Sequence, residues 1–592
     1  MFSAGATKCK LVAGGIELVI AKSSTLRDEG LTGFFDQFRY PGRRDCYWQQ
    51  KDSLDDRQVE PRVTATMADD PSEAQSLFDH SMFVQDNRYD SSYNYIAYSD
   101  KGSWSVRFTA WYLAGLLHRN ERDDLEHAKA AIENIISVQM TDDFDAAWYG
   151  TYKLSPDQPD PTSNSTLYPP KIYDTYDPNW REFVGTQLIQ VVEEFGLLIG
   201  SDLVSCIEDS LEAAAIGGMR RNGTFPQDDN LILGYSNPAM MRALVVGWIG
   251  ARRNNSTFID FANDQGTKLL QLFQLNNSNT LSEYNAPTYY GIDSWALGAQ
   301  LKYGPKGQTF TTNAKVILGE LWRDLEEHYN GYLGQMLGPY DRAYTRDIVQ
   351  HSSIISMFFW GMFGHQYGPQ PPKLESDLLF DIAQGAAIAL ITDTVKAVIP
   401  TDVQEKLKGT FTGPARHLNK TIYDDVESKY SRVATSWMSR ELMIGGQKLD
   451  EQENRGDQFV PAIVHWAGDR NHKPFPWSTF FSLYPSASSI HAVAEPNRLT
   501  VSYPNRTQEG SDIFTFALSN VPPSWTLGGH TITGLDGELP CVDINVDAEG
   551  LEFQPVTYGK SLRNHLFYNI SYVVPEDFEG TPKMVLDIKY TC

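Results

Sequence analysis

Residues 176–198 read YDPNWREFVGTQLIQVVEEFGLL, and this stretch decides the fold. Val184, Leu188, Val191, Phe195 and Leu198 recur at steps of three and four, so one face of a helix is apolar and faces a core. The same spacing returns at Ile317, Leu321 and Leu325, and the helical pattern holds from Trp104 to about residue 400. Asn237-Pro238 opens a further helix, because Asn caps free N–H groups and Pro is tolerated at the first helical position. Loops rich in Asn, Pro, Gly and Tyr separate the helices at 150–178, 222–237, 276–293 and 331–346. Repeated helix pairs with long polar and aromatic loops predict a helical (α/α) toroid, an incomplete helical barrel with its loops at one end.

After about residue 430 the period changes to two. Leu499–Tyr503, Asp512–Leu518, Val542–Val546, Leu566–Val574 and Met584–Tyr590 are short, β-branched and aromatic, with turn residues between them. The expectation is an α+β multidomain chain: a lead-in at 1–85, a catalytic toroid at 86–400, a linker at 401–430 and an antiparallel β-sandwich at 431–592. His465-Trp466 belongs to a sandwich strand near the domain interface.

A chain of 592 residues is too long for a single core. Its net charge of −25 disfavours nucleic acid and anionic membranes as partners, and requires a locally basic cleft if the substrate is a polyanion. No apolar run reaches the roughly 18–20 residues that span a bilayer. The five cysteines lack CxxC spacing, so neither zinc nor redox chemistry is indicated, and Cys541 with Cys592 could clip the last domain. Eight Asn-x-Ser/Thr sites, at Asn164, Asn222, Asn254, Asn255, Asn276, Asn419, Asn505 and Asn569, lean towards secretion. The N-terminus supports this weakly: Lys8 and Lys10 precede an apolar stretch from Leu11 to Ala21, but Glu17 interrupts it. There is no GxGxxG before a helix and no P-loop, so no cofactor is expected.

Four loop motifs gather polar and aromatic residues where helices start or stop. They are Tyr176–Glu182 (YDPNWRE), Asn222–Asn230 (NGTFPQDDN) running on to Tyr235, Ser282–Tyr290 (SEYNAPTYY), and Gly338–Tyr344 (GPYDRAY) with Arg346, Asp347 and His351 behind it. Their order and spacing resemble the (α/α) toroid polysaccharide lyases of the chondroitin AC, hyaluronate and heparinase II/III type, and imply a secreted protein of fungal type. In that group an Asn-Trp pair enters a helix and its Asn binds the substrate carboxylate, which Asn179-Trp180 resembles. Gly223-Thr224-Phe225 and Tyr235 match the next motif, but Gln227, Asp228 and Asp229 stand where the family has its His. Glu283 to Tyr289 is similar to a Glu-x-Ser-x-x-Tyr stretch of the heparinase-like branch.

The chemistry can also be stated from the residues. Eliminating across a uronate needs donors for the developing enolate charge, for which Asn179, Asn285 and Arg342 are candidates, with Arg346 and Trp180 as further substrate contacts. A second requirement is proton transfer, for which Tyr235, Tyr289, Tyr344 and His351 are candidates. In the Tyr-Asp-Arg-Ala-Tyr run a positive neighbour should lower a phenol's pKa. The rival is an inverting glycoside hydrolase, with Glu283 and one of Asp228, Asp341 or Asp347 as its two carboxyl groups. A sugar-binding protein without turnover, or a dehydratase or cyclase of secondary metabolism, are further alternatives. Each motif also has a plainer reading, in which Asn179 caps a helix over a buried Trp180 and His351 is an ordinary packed histidine.

Overall fold

A computed structural model describes residues 72–97, 102–163, 165–224, 229–343, 348, 353–369, 381–427, 429–449, 459–487, 489–506, 512–560 and 566–592. Asp228, Tyr344, Arg346, Asp347 and His351 lie outside the described residues. Ten helices of eleven or more residues are described: α1 (Glu73–Asp86), α2 (Val106–Arg119), α3 (Asp124–Ser137), α4 (Trp180–Ile199), α5 (Ser201–Met219), α6 (Ser236–Arg253), α7 (Ser256–Phe273), α8 (Pro287–Tyr303), α9 (Thr309–His328) and α10 (Ser353–Phe363). The helix α2 packs on α4, α4 on α6, α6 on α8 and α8 on α10, forming an inner layer. The intervening α3, α5, α7 and α9 cover it from outside, and a short helix α11 (Gly385–Ala389) touches α1, α2 and α10. This is the toroid-like helical region that the repeated helix pairs predict.

The inner helix α4 shows why the sequence folds this way. Val184, Leu188 and Val191 are fully buried, as their spacing requires. Gly185 lets α4 and α6 approach, since a Cβ there would lie 2.9 Å from Val245 Cγ2. The helix ends at Gly200, whose φ of +92° is costly for any residue with a Cβ.

Two small hairpins, β1 (Tyr89–Asp90) with β2 (Tyr95–Ile96) and β3 (Tyr329–Asn330) with β4 (Gln335–Met336), sit among the helices. A further 13 described strands form one antiparallel sheet curled into a β-sandwich. They are β5 (Arg416–Tyr423), β6 (Ser431–Met438), β7 (Leu442–Leu449), β8 (Ala462–Asp469), β9 (Trp477–Pro485), β10 (Ile490–Glu495), β11 (Arg498–Ser502), β12 (Ile513–Ser519), β13 (Val542–Asp547), β14 (Glu552–Phe553), β15 (Thr557–Lys560), β16 (Leu566–Val573) and β17 (Lys583–Tyr590). Central strands are buried on both faces. Along β8, Val464 and Trp466 enter the sandwich core with Phe481 and Phe516. His465 and Ala467, one residue out of phase, turn to the helical side, where His465 Nε2 lies 3.1 Å from Tyr340 Oη. Cys541 and Cys592 form a disulfide that joins the start of β13 to the end of β17.

Helix α1 lies inside the segment read as a lead-in, and β5 lies inside the segment read as a linker. Strand β5 is an edge strand whose one fully buried apolar residue is Ile422, so it carries little of the alternation that marks a buried strand. The helical and β regions are joined by polar contacts as well as apolar ones. Arg432 of β6 is buried, pairs with Asp341 and Asp424, and donates from Nη2 to the Ser282 carbonyl at 2.6 Å. Ser282 Oγ in turn donates to the Tyr423 carbonyl at 2.6 Å. Among the described residues no helix is long and apolar enough to cross a membrane.

Candidate functional site

The inner helices start around one cavity of about 480 Å³. Arg107 and Trp111 come from the first turns of α2, Phe183 from α4, Asn237 from α6, Thr288, Tyr289 and Ile292 from α8, and Ile354 from α10. The residues just before α4 and α6, including Asp177, Asn179 and Tyr235, complete the rim with Tyr173, Asn230, Arg342 and Asp381. Each helix N-terminus carries roughly half a positive charge, so five of them aimed at one space favour an anion there.

Four of the residues singled out in the sequence meet here: Asn179, Tyr235, Tyr289 and Arg342. Asn179 makes no capping bond with its side chain; the Asp177 carboxylate instead accepts the Asn179 backbone N–H at 2.8 Å. This frees the amide for other partners. Its Oδ1 accepts from Arg221 Nη1 at 2.8 Å, and its Nδ2 donates to Tyr173 Oη at 3.1 Å and Tyr235 Oη at 3.2 Å. Arg221 is itself fixed by Asp229 at 2.7 Å. The chain of contacts from Asp229 through Arg221 and Asn179 therefore sets where the two phenols sit.

Tyr235 is held neutral. Burial pushes its hydroxyl well above the ordinary tyrosine value, and the nearby Tyr289, Tyr173 and Glu283 push in the same direction. Its oxygen accepts from Asn179, which leaves its own proton to be donated. Tyr289 is half-buried, with the Arg342 guanidinium 5.6 Å from its ring centroid. The lowering expected in the Tyr-Asp-Arg-Ala-Tyr run does not occur at Tyr340, whose hydroxyl is raised by burial in the core.

Other expected residues lie behind the cavity. Glu283 is 6% exposed and pairs with Arg342 at 3.2 Å. Ser236 Oγ lies 3.4 Å from Glu283 Oε2 and 3.2 Å from Asp293 Oδ2, so two carboxyl groups crowd one hydroxyl. Burial and then Glu283 raise the Asp293 carboxyl well above its usual range. Asn285 is buried and uses its amide on the Leu337 carbonyl and, at 3.0 Å, on that of Pro339; it ties two loops together instead of facing a ligand. Trp180 is buried beneath Arg107, 5.6 Å from its guanidinium. Asp341, considered as a hydrolytic carboxylate, is fully buried, pairs with Arg432 and accepts the Tyr284 N–H at 3.0 Å. Its role is structural, because Arg432 of β6 takes up its carboxylate.

Sequence reasoning missed Arg107, Tyr173, Arg221 and Asn230. Arg107 had a signal: it is a cation in the first turn of an otherwise apolar helix, where the dipole disfavours positive charge. Its guanidinium is stacked among Trp111 (4.9 Å), Phe108 and Phe183 (both 5.2 Å), and Nε is buried without a protein partner. Trp111 Nε1 and Thr288 Oγ1, also on the cavity residues, likewise have none. Burial pushes the Asp177 carboxyl above its ordinary value, against the pull of the Asn179 N–H and of Arg107. The arrangement can hold an anionic group at Arg107 and Arg342, stack a sugar on aromatic faces and move a proton at Tyr235 or Tyr289.

Residues 75–393 match the family model described as Domain of unknown function (DUF8769), and residues 415–589 that described as Domain of unknown function (DUF8770). No curated protein matches the sequence. Among solved structures, the chain is similar to a chondroitin AC lyase of Streptomyces coelicolor A3, at 9% identity over 89% of this chain and 80% of that one, with a TM-score of 0.45. It is similar to heparinase III at 9% identity over 90% and 87%, with a TM-score of 0.40. The endoglucanase CelQ of Clostridium thermocellum aligns at 10% identity over 88% and 92%, with a TM-score of 0.25. Likeness at this level bears on neither substrate nor mechanism.

Proposed function

The chain belongs to the DUF8769 family, and we propose that it is a carbohydrate-active enzyme, a lyase that cleaves a uronate-containing glycan by β-elimination. One observation carries the reading: Arg107, Arg342 and three phenols share a single cavity at the N-termini of the inner helices. In β-elimination a base takes the proton beside the carboxylate, a carbon–carbon double bond forms, the bond to the β oxygen breaks, and that oxygen gains a proton. Arg107 and Arg342 hold the carboxylate and stabilise the charge that develops on it. Tyr289 takes the proton, and Tyr235, neutral and with a proton to give, supplies the leaving oxygen. Asn179, whose amide is already fully used, positions Tyr235 and Tyr173. The Cys541–Cys592 disulfide and the exposed sequon residues Asn222, Asn254, Asn276, Asn419 and Asn505 support an exported protein.

A second reading is hydrolysis, favoured by Asp177, whose carboxyl burial keeps towards the protonated form, and by Asp381 on the same cavity. Incubation with a panel of uronate and neutral glycans separates the two. Ultraviolet absorbance of an unsaturated uronide supports elimination. New reducing ends without that absorbance would sink it.

A further inference from the structure

A second and larger cavity, of about 820 Å³, lies where the helical region meets the sheet and shares no lining residue with the first. Lys408, Arg440, Arg470 and Lys473 line it; Glu441 is the acidic residue among the lining, 3.8 Å from Arg440, and Lys408 is paired with Glu405 at 2.8 Å. In a chain of net charge −25 this concentration of cations is unexpected. Its walls are aromatic, with Tyr332, Phe475 and Tyr590 among them. The Arg440 guanidinium lies 4.2 Å from the Tyr332 ring centroid, and its side chain is 56% exposed. Stacking of this kind fixes the guanidinium plane while its edge N–H groups remain available to an oxyanion. Lys473 is exposed and makes no ion pair among the described residues. Arg470 Nη1 donates to the Cys592 carbonyl at 2.7 Å, and the disulfide to Cys541 holds that residue at the rim.

We propose that this groove is a second, non-catalytic binding site for an acidic polysaccharide bearing sulfate or carboxylate groups. Sugar rings present apolar faces to Tyr332, Phe475 and Tyr590, while Lys473 and the stacked Arg440 meet the anionic substituents. The volume lies within the range usual for ligand sites. A neutral glycan would leave Lys473 unanswered, and a nucleic acid would meet long-range repulsion from the rest of the chain. The inference does not rest on the elimination chemistry, because binding is measured without turnover.

The test is calorimetric titration of the full chain with a heparin hexasaccharide at low salt, with maltohexaose as the neutral probe and a single-stranded hexanucleotide as the other polyanion. Arg440→Gln with Lys473→Gln changes two exposed side chains, so thermal melting should match the unaltered protein. We expect the heparin probe to bind the unaltered protein, at least tenfold more weakly to this double variant, and without loss at the groove in Arg107→Gln. Maltohexaose should bind far more weakly. Affinity unchanged in the double variant, absence of heparin binding, or equal or tighter binding of the hexanucleotide or maltohexaose would overturn the proposal. Failure of the elimination assay with groove binding intact would count against the proposed function alone.

Discussion

Replacing Tyr235 by Phe removes one oxygen and nothing else from the cavity. In the folded protein that oxygen accepts from Asn179 Nδ2 at 3.2 Å and lies 3.5 Å from Tyr173 Oη, at the limit of hydrogen bonding. The structural cost is therefore close to one ordinary hydrogen bond, about 1 kcal/mol. If Tyr235 protonates the leaving oxygen, kcat should fall by about 10² to 10⁴, the usual worth of acid–base catalysis. That corresponds to about 2.7 to 5.4 kcal/mol in the transition state, well above the structural cost. The two effects can be separated: the variant should melt within about 4 °C of the unaltered protein and keep its KM within a few fold. Steady-state kinetics on an active uronate oligosaccharide, run beside Tyr289→Phe and Glu283→Gln, provides the comparison. Glu283 sits behind Arg342, so its amide should cost less than tenfold. A near-dead Glu283→Gln beside two active tyrosine variants would refute the reasoning.

Arg107→Gln should raise KM for a uronate oligosaccharide by about 10- to 100-fold, the worth of a lost charged hydrogen bond, and have little effect on a carboxyl-reduced analogue; equal effects on both would exclude carboxylate binding. The raised Asp293 carboxyl gives a pH prediction. Below the unfolded value of about 3.9 the group is protonated in both states, and as pH rises towards the folded value the native protein alone keeps the proton and stability is lost. Asp293→Asn should remove that decline and be the more stable form at pH 7, by about 1.4 kcal/mol per pH unit of displacement; parallel urea midpoints at pH 5 and pH 8 would contradict it. Arg432→Met removes the buried cation paired with Asp341 and should cost about 3–5 kcal/mol in chemical denaturation, and a loss below about 1 kcal/mol would show that the pair does not join the two regions.

What the sequence made legible follows from which residues repeat. Val184, Leu188 and Val191 announced α4 because an inner helix must bury them, and Met584 to Tyr590 announced β17 because alternation survives wherever one face is wet. Helix α1 and strand β5 were hidden by their composition. In α1 the buried Leu77, Phe78 and Met82 share their helix with buried Ser81 and Gln85, and β5 exposes much of both faces. The site divides in the same way. Asn179, Tyr235, Tyr289 and Arg342 stood in polar loops with more chemistry than a turn needs. Arg107 stood in a helix that reads as core, and Asn285 read as a ligand contact because a buried amide bonded to carbonyls has the same letter as an exposed one. Tertiary placement, which one chain of letters does not carry, separates these cases.

The overall charge of −25 and an anionic substrate are compatible once distance is considered. At physiological ionic strength a surface charge is screened over about 8 Å, so most of the acidic surface contributes little inside the cavity. There the near field comes from Arg107, Arg342 and five helix N-termini. The opposing carboxyls on the cavity are Asp177 and Asp381, and burial moves Asp177 towards its neutral form. Glu283, behind the cavity, is paired with Arg342 and so draws part of that cation's field away from the cavity. Arg107 makes no ion pair among the described residues, although Asp177 lies within its field: its guanidinium rests on Trp111, Phe108 and Phe183. The residue best placed to hold a carboxylate thus reads as core in the sequence, because the aromatic residues that make its helix look buried are the ones that hold its guanidinium at the cavity.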